Sequence, residues 1–359
     1  MVTLCSPTRT KRLLISLAAL ALVLVVCDVL LGALLIEEGL YKGRRLPPFG
    51  TWSGTLEAQR VAGELASPDV DAPVRFNDFH PYLGWSNSPG EYHRKGVKHF
   101  NSIGARGSRE YAPVAPEGVQ RIACFGESFT FGSDMKDGDD WPAQLDPQVE
   151  AIDMGVGGYG TDQALLRFRR EGTNLSAHTV AIGLMLEHIG RNVNRDRKVF
   201  YPQTVKVKPR FVLEGNDLRL LPLPFETRRA AIQAAVDGSI RELLSEGEYW
   251  AGDDPLVPFS NIARILACNR AWARRDTAEL WRDPEGEPFR VTLAILETFC
   301  REALASGAQR AVVLIFPAKQ DLLHLASTGV PYWRARTGCP GATQNSLSRP
   351  VPGPAAVRT

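Results

Sequence analysis

Ile122-Ala123-Cys124-Phe125-Gly126-Glu127-Ser128-Phe129-Thr130-Phe131-Gly132 is the stretch on which the reading of this chain turns. Its first four residues are apolar and its fifth is glycine, the pattern of a short strand buried on both faces and then broken off. A serine follows two positions later. A serine hydroxyl is a weak nucleophile unless it is held exposed beside a base, and the carboxyl edge of a parallel sheet gives that exposure. Gly126 and Gly132 let the backbone turn sharply and come close to a substrate. The plainer reading of Ser128 is a residue that opens a turn or caps a helix.

Working outward, the domain begins near Arg121, and strand alternates with helix. Ala151–Val156 reads as a second strand running into Gly157-Gly158, and Thr161 as the cap of a helix through Gln163–Phe168. Thr179–Met185 and Ala311–Phe316, the latter closed by Pro317, supply a third and a fourth strand. Asp140–Leu145 predicts a helix, with Pro142 tolerated in its first turn. Such alternation predicts a parallel sheet with both faces covered. It breaks between about residues 191 and 290. There Phe211–Leu221 reads as a hairpin turning at Gly215-Asn216, while Ala230–Leu244, Pro255–Arg275 and Phe289–Ala305 carry helical spacing. This is an insertion expected to cap part of the sheet edge where ligands bind. Upstream, His80–Trp85 and Asn101–Gly107 form a turn-rich lead-in.

Leu13 to Ile36 is almost wholly apolar and long enough to cross a bilayer once. Arg9, Lys11 and Arg12 before it, with Glu37 and Glu38 after it, place the N-terminus inside; Lys42, Arg44 and Arg45 vote the other way. A cleaved signal peptide is the rival reading. Asp28 interrupts the span and would cost about 2.5–3.5 kcal/mol at the bilayer centre. The expectation is that it lies toward one end and reaches interfacial water; a polar contact with a partner helix is the alternative.

A formal net charge of +2 offers no concentrated basic face, which excludes nucleic acid as a partner. The six cysteines, at 5, 27, 124, 268, 300 and 339, contain no close pair, so neither a disulfide framework nor a zinc site is expected. Cys27 and Cys124 read as small buried apolar residues. Trp85, Trp250 and Trp281 could stack on sugars, although core burial is the commoner use.

Gly126-Glu127-Ser128-Phe129-Thr130-Phe131-Gly132 resembles the first conserved block of the SGNH/GDSL hydrolase superfamily, usually Gly-Asp-Ser-x-Thr-x-Gly, with Glu127 in the place of the aspartate. The nucleophile elbow of α/β-hydrolases fits less well, because Thr130 stands where it needs glycine. Asp153-Met154-Gly155-Val156-Gly157-Gly158-Tyr159-Gly160 is similar to the second block. There the resemblance implies that the N–H of Gly158 joins that of Ser128 in an oxyanion hole, each such donor being worth roughly 2.7–4 kcal/mol. The third block, where an asparagine is usual, falls on Met185–Ile189, which offers Glu187 and His188 instead; Asn192 and Asn194 follow at a different offset. The fourth block, Asp-x-x-His, has one match, Asp321-Leu322-Leu323-His324, which equally reads as the start of a helix with an acid in its first turn. Gly338–Thr359 has no apolar period and no acid, which suggests a truncated or frame-shifted end.

The resemblance, covering about Tyr82 to Tyr332, implies a three-layer α/β/α flavodoxin-like parallel sheet with a helical and hairpin insertion, preceded by one transmembrane helix. The expected division is a cytoplasmic 1–12, a membrane anchor at 13–36, a linker at 37–75, the SGNH-like domain at 76–337 and a disordered tail at 338–359. It further implies a serine esterase or acyltransferase with Ser128 as nucleophile and Gly158 in the oxyanion hole, needing no cofactor or metal. The expected substrate is an acylated carbohydrate of the cell envelope or another ester, with the domain outside the cytoplasmic membrane. Two alternatives stand beside it: an esterase of small lipids, and a glycan-binding or assembly module of the same fold that lacks a base.

Overall fold

The computed structural model describes residues 7–37, 40–42, 44–45, 56–73, 76–93, 97–197, 205–250, 260–274 and 276–329. At its centre lie four parallel strands, β1 (Gln120–Gly126), β2 (Val149–Gly155), β3 (Thr179–Met185) and β4 (Arg310–Phe316). They pair in the order β4-β3-β1-β2. All four occupy the segments that the apolar runs predict. β1 and β2 end level, with Gly126 opposite Gly155, so the loops that follow them leave from the same edge.

The α-helices longer than one turn among the described residues are, in chain order, α1 (Pro7–Leu35), α2 (Leu56–Ala66), α3 (Thr161–Glu171), α4 (Arg228–Asp237), α5 (Asn261–Arg274), α6 (Thr277–Arg282), α7 (Glu287–Ala305) and α8 (Lys319–Thr328). α3 and α7 lie side by side on one face of the sheet. Phe125 from β1, Phe168 from α3 and Phe299 from α7 meet there with ring centroids 5.1–6.0 Å apart, all fully buried. Their hold is strengthened at the surface by Arg169, whose guanidinium grips both carboxylate oxygens of Glu302 at 2.6 and 2.8 Å. The opposite face carries Cys124, Asp153 and Gly183 and is met by Thr130, Phe131 and Phe316.

Several expectations are corrected. Asp140–Leu145 forms turns and no helix; Gln144 N–H bonds back to Asp140 and Trp141, and Leu145 N–H to Pro142 O at 3.3 Å, as turn bonds only. Asp140 is instead turned inward to Arg106. Thr161 is the first residue of α3, and Gly160 is its N-cap, donating its N–H to Gln163 Oε1 at 3.4 Å. The Ala230–Leu244 helix is split, α4 stopping before Gly238 and a separate one-turn helix occupying Ile240–Leu243. The stretch 37–75, expected to be a tether, contains α2. This helix packs through Val61 onto Ile232 and Ala235 of α4, helped by ion pairs from Arg228 to Glu64 and from Arg229 to Asp71.

Cys124 is buried, as its apolar setting requires, whereas Cys27 is exposed on α1 and Cys300 is disulfide-bonded. Trp85, Trp250 and Trp281 are core residues, each about 96% or more buried, so none is a free stacking platform. The tail 338–359 and, of the helix expected over Pro255–Arg275, residues 255–259 and 275 lie outside the described residues.

The Phe125–Phe168–Phe299 cluster joins the sheet to both covering helices, so cutting one ring away should loosen all three. Phe299→Ala is expected to lower stability by about 3–5 kcal/mol. Urea unfolding of the full chain in mild detergent checks this, followed by far-ultraviolet circular dichroism.

Candidate active site

Ser128 stands where the sequence placed it, two residues beyond β1 at the carboxyl edge of the sheet, with its side chain half-buried. The backbone after it folds back at once: Phe131 N–H bonds Glu127 O at 2.8 Å and Ser133 N–H bonds Ser128 O at 2.9 Å. That fold is possible because the strands end in glycine. A Cβ on Gly126 would collide with Thr130 Oγ1, and one on Gly155 would collide with the backbone of Phe131.

Arg106 fixes the rest of the turn. Almost fully buried, it donates to the carbonyls of Phe131, Gly132 (2.7 Å) and Met135 (2.9 Å), while its Nε pairs with Asp137 and Asp140 at 3.1 and 3.2 Å. Its own N–H bonds Asp153 O at 2.9 Å, tying the turn to β2. Arg106 is a residue that sequence reading missed. The lead-in Asn101–Gly107 was recognised as ordered, but its partner, thirty residues on, has no periodic signal.

Ser128 Oγ donates to Glu127 Oε2 at 3.0 Å, and the same oxygen accepts the N–H of Phe129. Burial raises the pKa of the Glu127 carboxyl; the Phe129 N–H, the Arg191 charge and the Ser128 hydroxyl oppose that rise. Among the described residues no histidine hydrogen-bonds Ser128. The other oxygen of Glu127 is buried without a partner.

The loop after β2 is held as firmly. Gly158 has φ +82°, a conformation that favours glycine. Trp85 Nε1 donates to Gly157 O at 3.0 Å, Arg197 Nη2 to Gly158 O at 3.3 Å and Arg191 Nη1 to Tyr159 O at 2.9 Å. In a trans peptide the N–H points opposite to the C=O, so anchoring the carbonyl of Gly157 to Trp85 aims the Gly158 N–H away from it. Neither the Ser128 nor the Gly158 N–H finds an acceptor among the described residues. Lys206 lies over the Trp85 ring at 4.3 Å; burial and then Arg197 and Arg191 push its ammonium down to about 7.

The third-block positions differ from their expected roles. His188 is fully buried, burial and the charge of Arg197 push its imidazole down to about 3, and neither ring nitrogen has a hydrogen-bond partner. It is therefore neutral and stabilises no oxyanion by charge. Glu187 is partly exposed and ion-paired with Arg191. Asn192 spends its amide on Thr161 and Thr292 at 2.8 and 2.9 Å, and Asn194 bonds Asp196 O and Glu248, so neither is available as an oxyanion donor.

Asp321 is buried in the first turn of α8, where its Oδ2 accepts the N–H of the N-cap residue Ala318 at 2.6 Å. His324 lies one turn further along that helix. Among the described residues no group of three or more metal-ligating side chains converges. No family model and no curated protein matches the chain.

Asp153, beside this edge on β2, is wholly buried, and burial with the neighbouring Asp140 pushes its carboxyl up to about 8. In the unfolded chain an aspartate loses its proton near 4. Unfolding therefore releases a proton between about 4 and 8, and stability from this group falls as pH rises through that window. Asp153→Asn should flatten that part of the pH dependence, as read from urea midpoints across the range. An unchanged slope would count against a protonated Asp153.

Proposed function

We propose that the chain is a membrane-anchored hydrolase or acyltransferase of SGNH type, acting on an ester-linked acyl group through an acyl-serine intermediate. The observation that carries this reading is the arrangement of Ser128. Its hydroxyl sits just beyond the end of a central parallel strand, and neither its own N–H nor that of Gly158 has an acceptor among the described residues. The strand order β4-β3-β1-β2 supports it, being the order of the first four strands of a flavodoxin-like sheet. In this reading the fold is the three-layer α/β/α form.

Attack by Ser128 Oγ on the ester carbonyl would place negative charge on the carbonyl oxygen, to be met by the two N–H groups. Glu127 is the proton acceptor that the described residues offer, at 3.0 Å, within the reach that general base catalysis needs. Its raised pKa makes it a better base than an ordinary carboxylate, and it must be ionised to act. Collapse of the tetrahedral species breaks the ester C–O bond and expels the alcohol, which takes the proton from Glu127. Water or an acceptor hydroxyl then attacks the acyl-serine, giving its proton to Glu127, and Ser128 Oγ leaves as the hydroxyl by taking that proton back. An envelope glycan bearing acetyl groups is the substrate favoured here, because α1 would hold the domain at the outer membrane surface. A disulfide at Cys300 fits an oxidising compartment. That no histidine among the described residues bonds Ser128 favours one second reading, a glycan-binding module that keeps the fold without the turnover.

The full chain in detergent, given p-nitrophenyl acetate, separates the two. Ser128→Ala should abolish turnover, and Glu127→Gln should lower kcat about 10²–10⁴-fold. Activity of the unaltered chain should rise with pH through a point above the usual carboxylate range. Equal rates for the unaltered chain and Ser128→Ala would favour the binding module. Trp85→Phe keeps the ring and loses the donor to Gly157 O. It should lower kcat with little change in KM, since the oxyanion donor serves the transition state.

A further inference from the structure

α1 is exposed along nearly its whole length. Among its described residues from 14 to 35, only Asp28 and Gly32 are partly covered. They stand one turn apart on one side of the helix, and what covers them is the start of α5. Asp28 accepts three hydrogen bonds there, from Ser260 Oγ at 2.8 Å, Asn261 N at 2.8 Å and Ile262 N at 2.9 Å. The Asn261 amide donates in turn to Asp28 O at 3.3 Å. A Cβ on Gly32 would drive into the Asn261 side chain, so the glycine makes room for the contact. The expectation that Asp28 simply reaches interfacial water is replaced by a carboxylate that caps a helix over two hundred residues away.

Asp28 lies seven residues before the end of α1, about 10 Å along its axis. In a spanning helix that depth is within the outer half of the hydrocarbon layer. An ionised carboxylate is tolerated there only when hydrogen-bonded, and the positive end of α5 supplies both the donors and the charge. α5 itself carries Arg264, Arg270 and Arg274 and no acid. Arg270 is exposed, as is Leu266 at 63%. An apolar residue and a cation standing open on one short basic helix suit the boundary between acyl chains and acidic headgroups.

We propose that α5 is a second membrane-contacting element, seated in the Asp28–Gly32 notch of α1 and lying along an anionic lipid surface. The proposal rests on α1 as an uncleaved span and is independent of the chemistry at Ser128.

The test is hydrogen exchange of the full chain in nanodiscs of phosphatidylcholine alone or mixed with phosphatidylglycerol. Amides of residues 262–274 should exchange about tenfold more slowly in the mixed discs. Asp28→Ala and Gly32→Leu should each remove that protection while leaving β1–β4 protected, which shows that the domain still folds. Arg270→Gln should reduce the difference between the two lipids. Equal exchange of these amides in both discs would overturn the lipid contact, and unchanged protection in both notch variants would overturn the docking. The mass of the purified chain reads the anchor separately: loss of residues 1–36 would remove the premise.

Discussion

The arrangement depends on three adjacent strands that each present a glycine at or near the carboxyl edge. Gly126 on β1, Gly155 on β2 and Gly183 on β3 leave a floor without side chains, and the turn 127–133 settles onto it. Thr130 Oγ1 occupies the space where side chains on Gly126 and Gly183 would lie, and the backbone of Phe131 occupies that of Gly155. Any larger residue at these places would lift the turn from the sheet. Ser128 would then move with it, because its position is set by the chain's departure from Gly126 and its immediate return at Phe131.

A turn seated on bare backbone still has carbonyl groups to satisfy, and long side chains from distant segments do so. Arg106 reaches three carbonyls of the first loop; Trp85, Arg191 and Arg197 each take one carbonyl of the second. The pattern is consistent in direction. Carbonyl oxygens are drawn into the protein. The N–H groups of Ser133, Tyr159 and Gly160 on the same peptides are bonded internally, to Ser128 O, Val156 O and Gln163 Oε1, whereas that of Gly158 has no acceptor among the described residues. An N–H left open in this way favours developing negative charge, whatever molecule brings it. Burial first, and then the charges of Arg197 and Arg191, push the Lys206 ammonium beside this loop down to about 7.

The four strands and Ser128 were legible because they are short-range signals: an apolar run, a glycine and a polar residue after it. α7 and the hairpin Arg210–Leu221 were legible for the same reason, by period and by turn chemistry. What escaped was whatever depends on a partner far along the chain. Asp140–Leu145 has the composition of a helix start, yet Asp140 is claimed by Arg106 and the helix does not form. Asn192 looks available from its place after β3, but two threonines, 31 and 100 residues away, use its amide. Asp321 matched a motif by spacing, and it stands in the first turn of α8 with its carboxylate on the N–H of Ala318.

The insertion between β3 and β4 gives these long-range contacts a common origin. One end of it, at Arg197, grips the loop that carries Gly158; a later part, at Ser260 and Asn261, grips Asp28 on α1. α2, from the stretch between α1 and the sheet domain, packs on α4 of the same insertion. The apolar N-terminal helix is therefore joined to the domain at more places than its covalent link. A carboxylate in an apolar helix is costly unless its hydrogen bonds are met, and here they are met only when the insertion is folded. The stability of that segment and the seating of α1 are thus coupled through one side chain, so that what holds the helix also helps to order the segment that steadies the Gly158 loop.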